Sequence, residues 1–131
     1  MPSRKYCFSP ASLDSVIKFW NVTTGAISRR LATNQAYLKK IDVTLDQKLL
    51  FSGDSSSNNA CLKIWDLASG SLIKTFIIPY LATWAILPGG RLAYATTISN
   101  YISIVDYNSY AIVKTLNIGN NTSIFDISVL V

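Results

Sequence analysis

The sequence predicts an all-β chain assembled from repeated small antiparallel sheets, and three observations carry that expectation. Alternating and β-branched apolar residues recur along the 131 residues with Gly and Asn between the runs, and no stretch sustains the period of an amphipathic helix. All 7 acidic residues are Asp, a turn former, and Glu, a helix former, is absent. Three segments superpose, SVIKFWNVTTGAISRRL (15–31), CLKIWDLASGSLIKTF (61–76) and YISIVDYNSYAIVKTL (101–116), anchored on Trp20, Trp65 and Val105. The anchors are 45 and then 40 positions apart.

Each element follows from that alignment. In every superposed segment an apolar strand closes on the anchor, a short polar turn follows, and a second strand begins. The stretches between them superpose as well: LKKIDVTLDQKLLFSGD (38–54) lies over YLATWAILPGGRLAYAT (80–96), each an apolar strand, a turn and another apolar strand. With the strands of one unit labelled a to d from the inside outward, residues 5–9 read as strand b, 15–21 as c and 26–32 as d. Complete four-stranded units are expected at 38–77 and 83–118, and a lone strand a at 123–131. The longer loop DSSSNN (54–59) is polar and reads as a solvated spacer.

A period of this length is the one expected of propeller blades, and the residues resemble the WD-repeat β-propeller family. The resemblance rests on Ile17-Lys18-Phe19-Trp20-Asn21, Leu62-Lys63-Ile64-Trp65-Asp66 and Ile104-Val105-Asp106, each followed by a turn and a strand ending Arg-Arg-Leu, Lys-Thr-Phe or Lys-Thr-Leu. Only the middle copy keeps the Trp-Asp pair. Asp14 stands where the family places an Asp before its third strand, Asn59 and Ser99 hold the equivalent positions later, and the family's Gly-His pair is absent from every copy. The resemblance implies a β-propeller repeat segment of about three blades, with Trp20, Trp65, Asp66, Asp106 and Asp14 as structural anchors. Such a blade is apolar on both faces and is covered by its neighbours. Known propellers close with about four to eight blades, so two arrangements are expected. The chain is either a piece of a longer propeller protein, favoured because repeat arrays need capping ends, or copies of it assemble head to tail to close the ring.

The same residues bound the function. A chain without His or Glu lacks the usual general base, metal-ligand set or catalytic triad, and Gly89-Gly90 lies in a strand-to-strand turn that opens no helix. No catalytic residue, metal site or cofactor is therefore expected. The 2 cysteines, Cys7 and Cys61, show no clip spacing and are expected as small buried hydrophobes. The amino terminus lacks the apolar core of a signal peptide, and FIIPYLATWAIL (76–87) is too short to cross a bilayer and is broken by Pro79. An intracellular chain, cytoplasmic or nuclear, is expected, in which the glycosylation triplets at Asn21, Asn120 and Asn121 are idle. A net charge of +5 is spread over pairs such as Arg4-Lys5, Arg29-Arg30 and Lys39-Lys40, without an aromatic-interleaved basic groove that would mark nucleic-acid binding. Lys18 and Lys63, and Arg29, Lys74 and Lys114, recur in register, which predicts exposed, snorkelling edge positions and no unique site.

The function expected from the family resemblance is a protein-interaction scaffold whose rim loops hold a partner protein. Tyr37 and Tyr80, at equivalent positions before strand a, with Lys39 and Lys40 beside the first, are the candidate contact residues. The alternative is a small-ligand or cation site in a central channel, for which Asp42 and Asp126 superpose with Trp84 between them in blade order.

Overall fold

The computed structural model describes residues 6–11, 15–35, 38–54, 58–119 and 127. The expected strand a at 123–131 lies, but for Ile127, outside the described residues. All regular structure among the described residues is β-strand, in three antiparallel sheets. The first sheet is β1 (Tyr6–Ala11), β2 (Val16–Asn21) and β3 (Ile27–Ala32). The second is β4 (Leu38–Val43), β5 (Leu49–Asp54), β6 (Cys61–Asp66) and β7 (Leu72–Ile77), and the third is β8 (Leu81–Leu87), β9 (Arg91–Thr96), β10 (Tyr101–Asp106) and β11 (Ile112–Asn117). Strand order in each sheet is sequence order. Such meanders follow from polar turns only a few residues long, which can join antiparallel neighbours but cannot cross over.

Trp20 pairs with Cys7 and Trp65 with Leu50, while Val105 pairs with Leu92, so the three anchors hold one register position. The ladder to the outer strand slips by one residue just before Trp20 and just before Val105, a bulge that re-aims the side chain that follows. A second recurrent irregularity opens strand a: the register shifts between Leu38 and Lys40 in β4 and between Leu81 and Thr83 in β8. Because of it β8 begins at Leu81, two residues before the expected Thr83, and Leu81 is fully buried.

The chain divides into two compact units, one of Met1–Asp54 with Leu62–Thr75 and one of Ser55–Cys61 with Phe76–Val131. In the first unit Ile17, Phe19 and Leu31 of the first sheet form one apolar cluster with Leu38, Leu50 and Trp65 of the second, with Phe8, Ile41, Val43 and Leu67 packed at its border. Phe8 meets Phe19 edge-on at 5.0 Å. In the second unit Leu81, Trp84, Ala85, Leu92, Ala93, Ala95 and Val105 are buried, and the Phe76 and Tyr110 rings lie 4.0 Å apart. Cys61 is buried, as expected of a small hydrophobe, whereas Cys7 is exposed. Cys7 differs because it lies on the face of the first sheet opposite the Phe8–Phe19 cluster.

Candidate functional site

The turn after strand c is built alike in all three sheets. Asn21 Oδ1 accepts the N–H groups of Thr23 at 2.9 Å and Thr24 at 3.2 Å, Asp66 Oδ2 accepts from Ser69 at 3.2 Å, and Asp106 Oδ1 accepts from Asn108 at 2.8 Å and Ser109 at 3.1 Å. A short polar side chain at the end of strand c thus satisfies the donors that a tight turn leaves open. The fifth residue of the turn is left-handed each time, with φ of 73° at Gly25, 76° at Gly70 and 65° at Tyr110. Glycine adopts that conformation freely; Tyr110 adopts it while its ring packs on Phe76. The N–H groups donated by Asn108 and then Ser109 hold the Asp106 carboxyl below its usual range, and the Thr44 hydroxyl and then the Lys48 N–H do the same for Asp46. Asp66 and Asp106 therefore act locally, on their own turns. Asp14 lies outside the described residues.

Inside the first unit the tryptophans reach polar partners. Trp65 Nε1 donates to Ser52 Oγ at 2.9 Å, and Ser52 Oγ donates to Gln35 Oε1 at 2.6 Å, while Gln35 Nε2 donates back to the Ser52 carbonyl at 3.0 Å. Ser52 and Gln35 are fully buried. The loop that carries Gln35 is pinned at its other end, where Thr33 Oγ1 donates to the Ser15 carbonyl at 2.7 Å and Ser15 Oγ to the Gln35 carbonyl at 2.6 Å. Trp20 repeats the first link, donating to Ser9 Oγ at 2.9 Å. In the third sheet the Val105 side chain has no donor to give, and Tyr94, paired with Ser103, stands where Ser9 and Ser52 stand. Sequence reading passes over Gln35 and Ser52; the signal that marks Ser52 is a lone hydroxyl inside the apolar strand LLFSGD.

Of the in-register cations Lys114 is exposed, whereas Lys18, Arg29, Lys63 and Lys74 are half-buried, and the heads of Arg29 and Lys63 reach carbonyls of another sheet. Arg29 lies over the Phe19 ring at 4.6 Å and donates to the carbonyls of Leu67 at 2.6 Å and Ala68 at 3.3 Å in the following sheet. Lys63 donates to the Thr33 carbonyl at 2.6 Å and sits 6.0 Å from the Trp65 ring. Both stems run along apolar surface while their heads reach backbone carbonyls of the neighbouring sheet, so they fasten one sheet to the next.

At the loop ends the candidate contact residues are distributed as follows. Tyr37 lies outside the described residues. Lys39 is exposed and Lys40 half-buried on β4. Tyr80 is exposed just before β8 at φ 59°, and its carbonyl accepts the Thr97 N–H at 2.9 Å. That bond places Tyr80 beside the loop carrying Ile98, which is 70% exposed. The sequence reading named Tyr80 without Ile98, because the pairing of these two loops belongs to the folded sheet.

For the channel alternative, Asp42 is exposed and accepts the N–H of Val43 at 2.8 Å, and Asp126 lies outside the described residues. Among the described residues no three His, Cys, Asp or Glu side chains are grouped to hold a metal ion. No helix of the described residues is long and apolar enough to cross a membrane.

Small sheets meandering a to d, a large apolar or Trp residue closing strand c, and an Asx-capped turn after it define the blades of a WD-repeat β-propeller. The chain has the fold of a β-propeller segment about three blades in extent, and it resembles the WD-repeat proteins. Its fold matches the solved structure of U3-55K (TM-score 0.71, 20% identity, covering 91% of this chain and 37% of that one). It also matches the RRP9 WD40 repeats (TM-score 0.70, 20% identity, again 91% and 37%). In sequence it is 29% identical over 90 residues to U3 small nucleolar RNA-associated protein 12 of Saccharomyces cerevisiae, a match spanning 69% of this chain and 9% of that protein. No family model matches the chain.

Proposed function

We propose that this chain is a non-enzymatic interaction module, in which stacked blades hold rim loops in place and those loops grip a partner protein. The observation that carries the reading is the rim of the third sheet, where Tyr80 and Ile98 stand exposed on two loops joined by a backbone hydrogen bond. A Tyr held in the left-handed region carries a cost of about 1–2 kcal/mol, and such outliers gather where function fixes them. Lys39 and Lys40, with Tyr37, extend the proposed contact set on the loop before β4. The non-enzymatic reading is supported by a composition with no His and no Glu. The yeast relative's name ties that protein to U3 small nucleolar RNA, and on this likeness we place the chain inside the cell, in the nucleus or cytoplasm, within an assembly of proteins.

The test is capture of partners by the wild-type chain, by Tyr80→Ala and by a Lys39→Glu, Lys40→Glu double variant, each with its melting temperature. The expected result is loss of the same protein from both variants with melting little changed. Retention by both overturns the proposed site. A second reading, RNA contact, is favoured by the relative's name alone. It predicts affinity falling steeply with salt, at a slope set by the phosphates neutralised.

A further inference from the structure

We propose that the rim of the third sheet receives an uncharged, apolar segment of a partner protein, with Tyr80 as its fixed anchor. This builds on the reading that rim loops hold a partner protein, and the chemistry of two of those loops says which kind. Ile78-Pro79-Tyr80-Leu81 is a turn closed by the Leu81 N–H, which donates to the Ile78 carbonyl at 3.2 Å. Pro79 stands second and Tyr80 third, at φ 59°. A turn with proline second and a left-handed third residue takes Gly or Asn there, because a larger side chain is strained in that conformation. The loops that leave the other two outer strands place tolerant residues in the left-handed region, Asn34 at φ 56° after β3 and Gly119 at φ 97° after β11. Only the loop after β7 puts a ring there, at a cost the loop's own geometry does not require.

Both loops are pinned by hydrogen bonds. The Tyr80 carbonyl accepts the Thr97 N–H at 2.9 Å, which ties the Pro79–Tyr80 turn to the loop of residues 97–100. That second loop is braced by Thr96 Oγ1, which donates to Ser99 Oγ at 3.1 Å, and its end is fixed where the Asn100 carbonyl accepts the Ile118 N–H at 2.9 Å. Pro79, Tyr80, Thr97 and Ile98 are exposed on this frame. A partner that meets it orders little backbone, because the turn and the loop already have the shape they present, and a tyrosine ring gives up little rotamer freedom. An aromatic anchor beside an aliphatic side chain, with Thr, Ser and Asn around them, is a composition that protein-binding loops favour.

Charge selects the occupant. The chain carries a net charge of +5, yet residues 75–90, 92–105 and 115–125 contain no charged side chain. Those spans include both loops and the stretch that follows β11, so none of them offers a lysine or arginine to a phosphate or a carboxylate. The charged residues of the third sheet lie elsewhere: Arg91 and Asp106 are paired at the end of β9 and β10 away from the 97–100 loop, and Lys114 is inside β11. A neutral rim exerts no pull on an acidic segment or on nucleic acid, which leaves burial of apolar surface as the source of affinity. Lys39 and Lys40, on β4, are a separate part of the proposed contact set, so the two parts can be tested apart.

The test is selection of phage-displayed random peptides on the wild-type chain. The enriched peptides are then titrated against Tyr80→Gly, Ile98→Asn and the Lys39→Glu, Lys40→Glu double variant, each with its melting temperature. The expected peptides are rich in apolar residues and free of charge, and their Kd changes little between about 50 and about 200 mM salt, where a contact driven by phosphates loses about 10³-fold or more. Tyr80→Gly and Ile98→Asn each weaken them by about tenfold or more, while the double lysine variant binds them like wild type. Tyr80→Gly relieves the left-handed strain, so its melting temperature stays close to that of wild type. A large fall in that temperature makes the ring internal packing and overturns the proposal, as does retention of the peptides by Tyr80→Gly. Peptides rich in Asp and Glu that are lost only in the lysine variant overturn the uncharged segment while keeping the interaction module. A poly-uridine probe bound through Tyr80, with affinity falling steeply with salt, overturns it in favour of nucleic acid. An absence of enriched peptides overturns both readings.

Discussion

Replacing Ser52 by Ala tests the claim that Trp65 holds its blade through a polar relay as well as through its bulk. Ser52 Oγ is the acceptor for Trp65 Nε1 at 2.9 Å and the donor to Gln35 Oε1 at 2.6 Å, in a site closed to solvent. The substitution leaves a buried indole N–H unpaired, which costs about 1–3 kcal/mol, and forfeits the link to Gln35, about 1 kcal/mol more. A loss of about 2–4 kcal/mol is expected, against about 1 kcal/mol or less for Ser9→Ala, where the Trp20–Ser9 pair is only part-buried and water can substitute. Urea unfolding followed by circular dichroism gives both values. Trp65→Phe closes the cycle: with no N–H to strand, Ser52→Ala costs less in that background, by a coupling of about 1–2 kcal/mol. Additivity within about 0.5 kcal/mol, or equal costs at Ser9 and Ser52, refutes the relay and leaves Trp65 as packing alone.

Two further outcomes follow from the same structure. Arg29→Met keeps the stem over Phe19 but removes both bonds to the Leu67 and Ala68 carbonyls, and is expected to lower stability by about 1–2 kcal/mol, with Arg29→Lys recovering part of it; thermal unfolding with no difference between the two variants counts against a sheet-to-sheet fastening. The Asp106 carboxyl is held below 3.8, so its support of the turn is complete above that pH and is lost as pH falls through the lower folded value. Asp106→Asn, which keeps an acceptor as Asn21 does, is expected to remove that dependence, and a carboxyl resonance of Asp106 titrating at or above 3.8 contradicts the assignment.

The all-β class and the repeat were legible in the sequence because both are periodic. Trp20, Trp65 and Val105 recur with alternating apolar neighbours, and one-residue slips would turn every side chain to the wrong face, so register follows from pattern. The turn-forming roles of Asn21, Asp66 and Asp106 are likewise local, reaching only two or three residues ahead. Arg29 and Lys63 were misplaced on exposed edges for the opposite reason: their partners lie 38 and 30 residues away, in another sheet, and nothing in the in-register recurrence of basic residues says whether the head meets water or a carbonyl.

What the sequence determined by itself is therefore the unit: which residues form strands, which close them, and which residue types leave little room for acid–base or metal chemistry. The tertiary structure alone decided the joints between units. It brought Gln35 to Ser52 and Trp65, set Tyr80 beside the loop of Ile98, buried Cys61 while leaving Cys7 in solvent, and packed Ile17 against Leu50 and Trp65 of the next sheet. The physical reason is range. Strand and turn preferences act between residues a few positions apart, whereas burial and hydrogen-bond satisfaction depend on which sheets become neighbours.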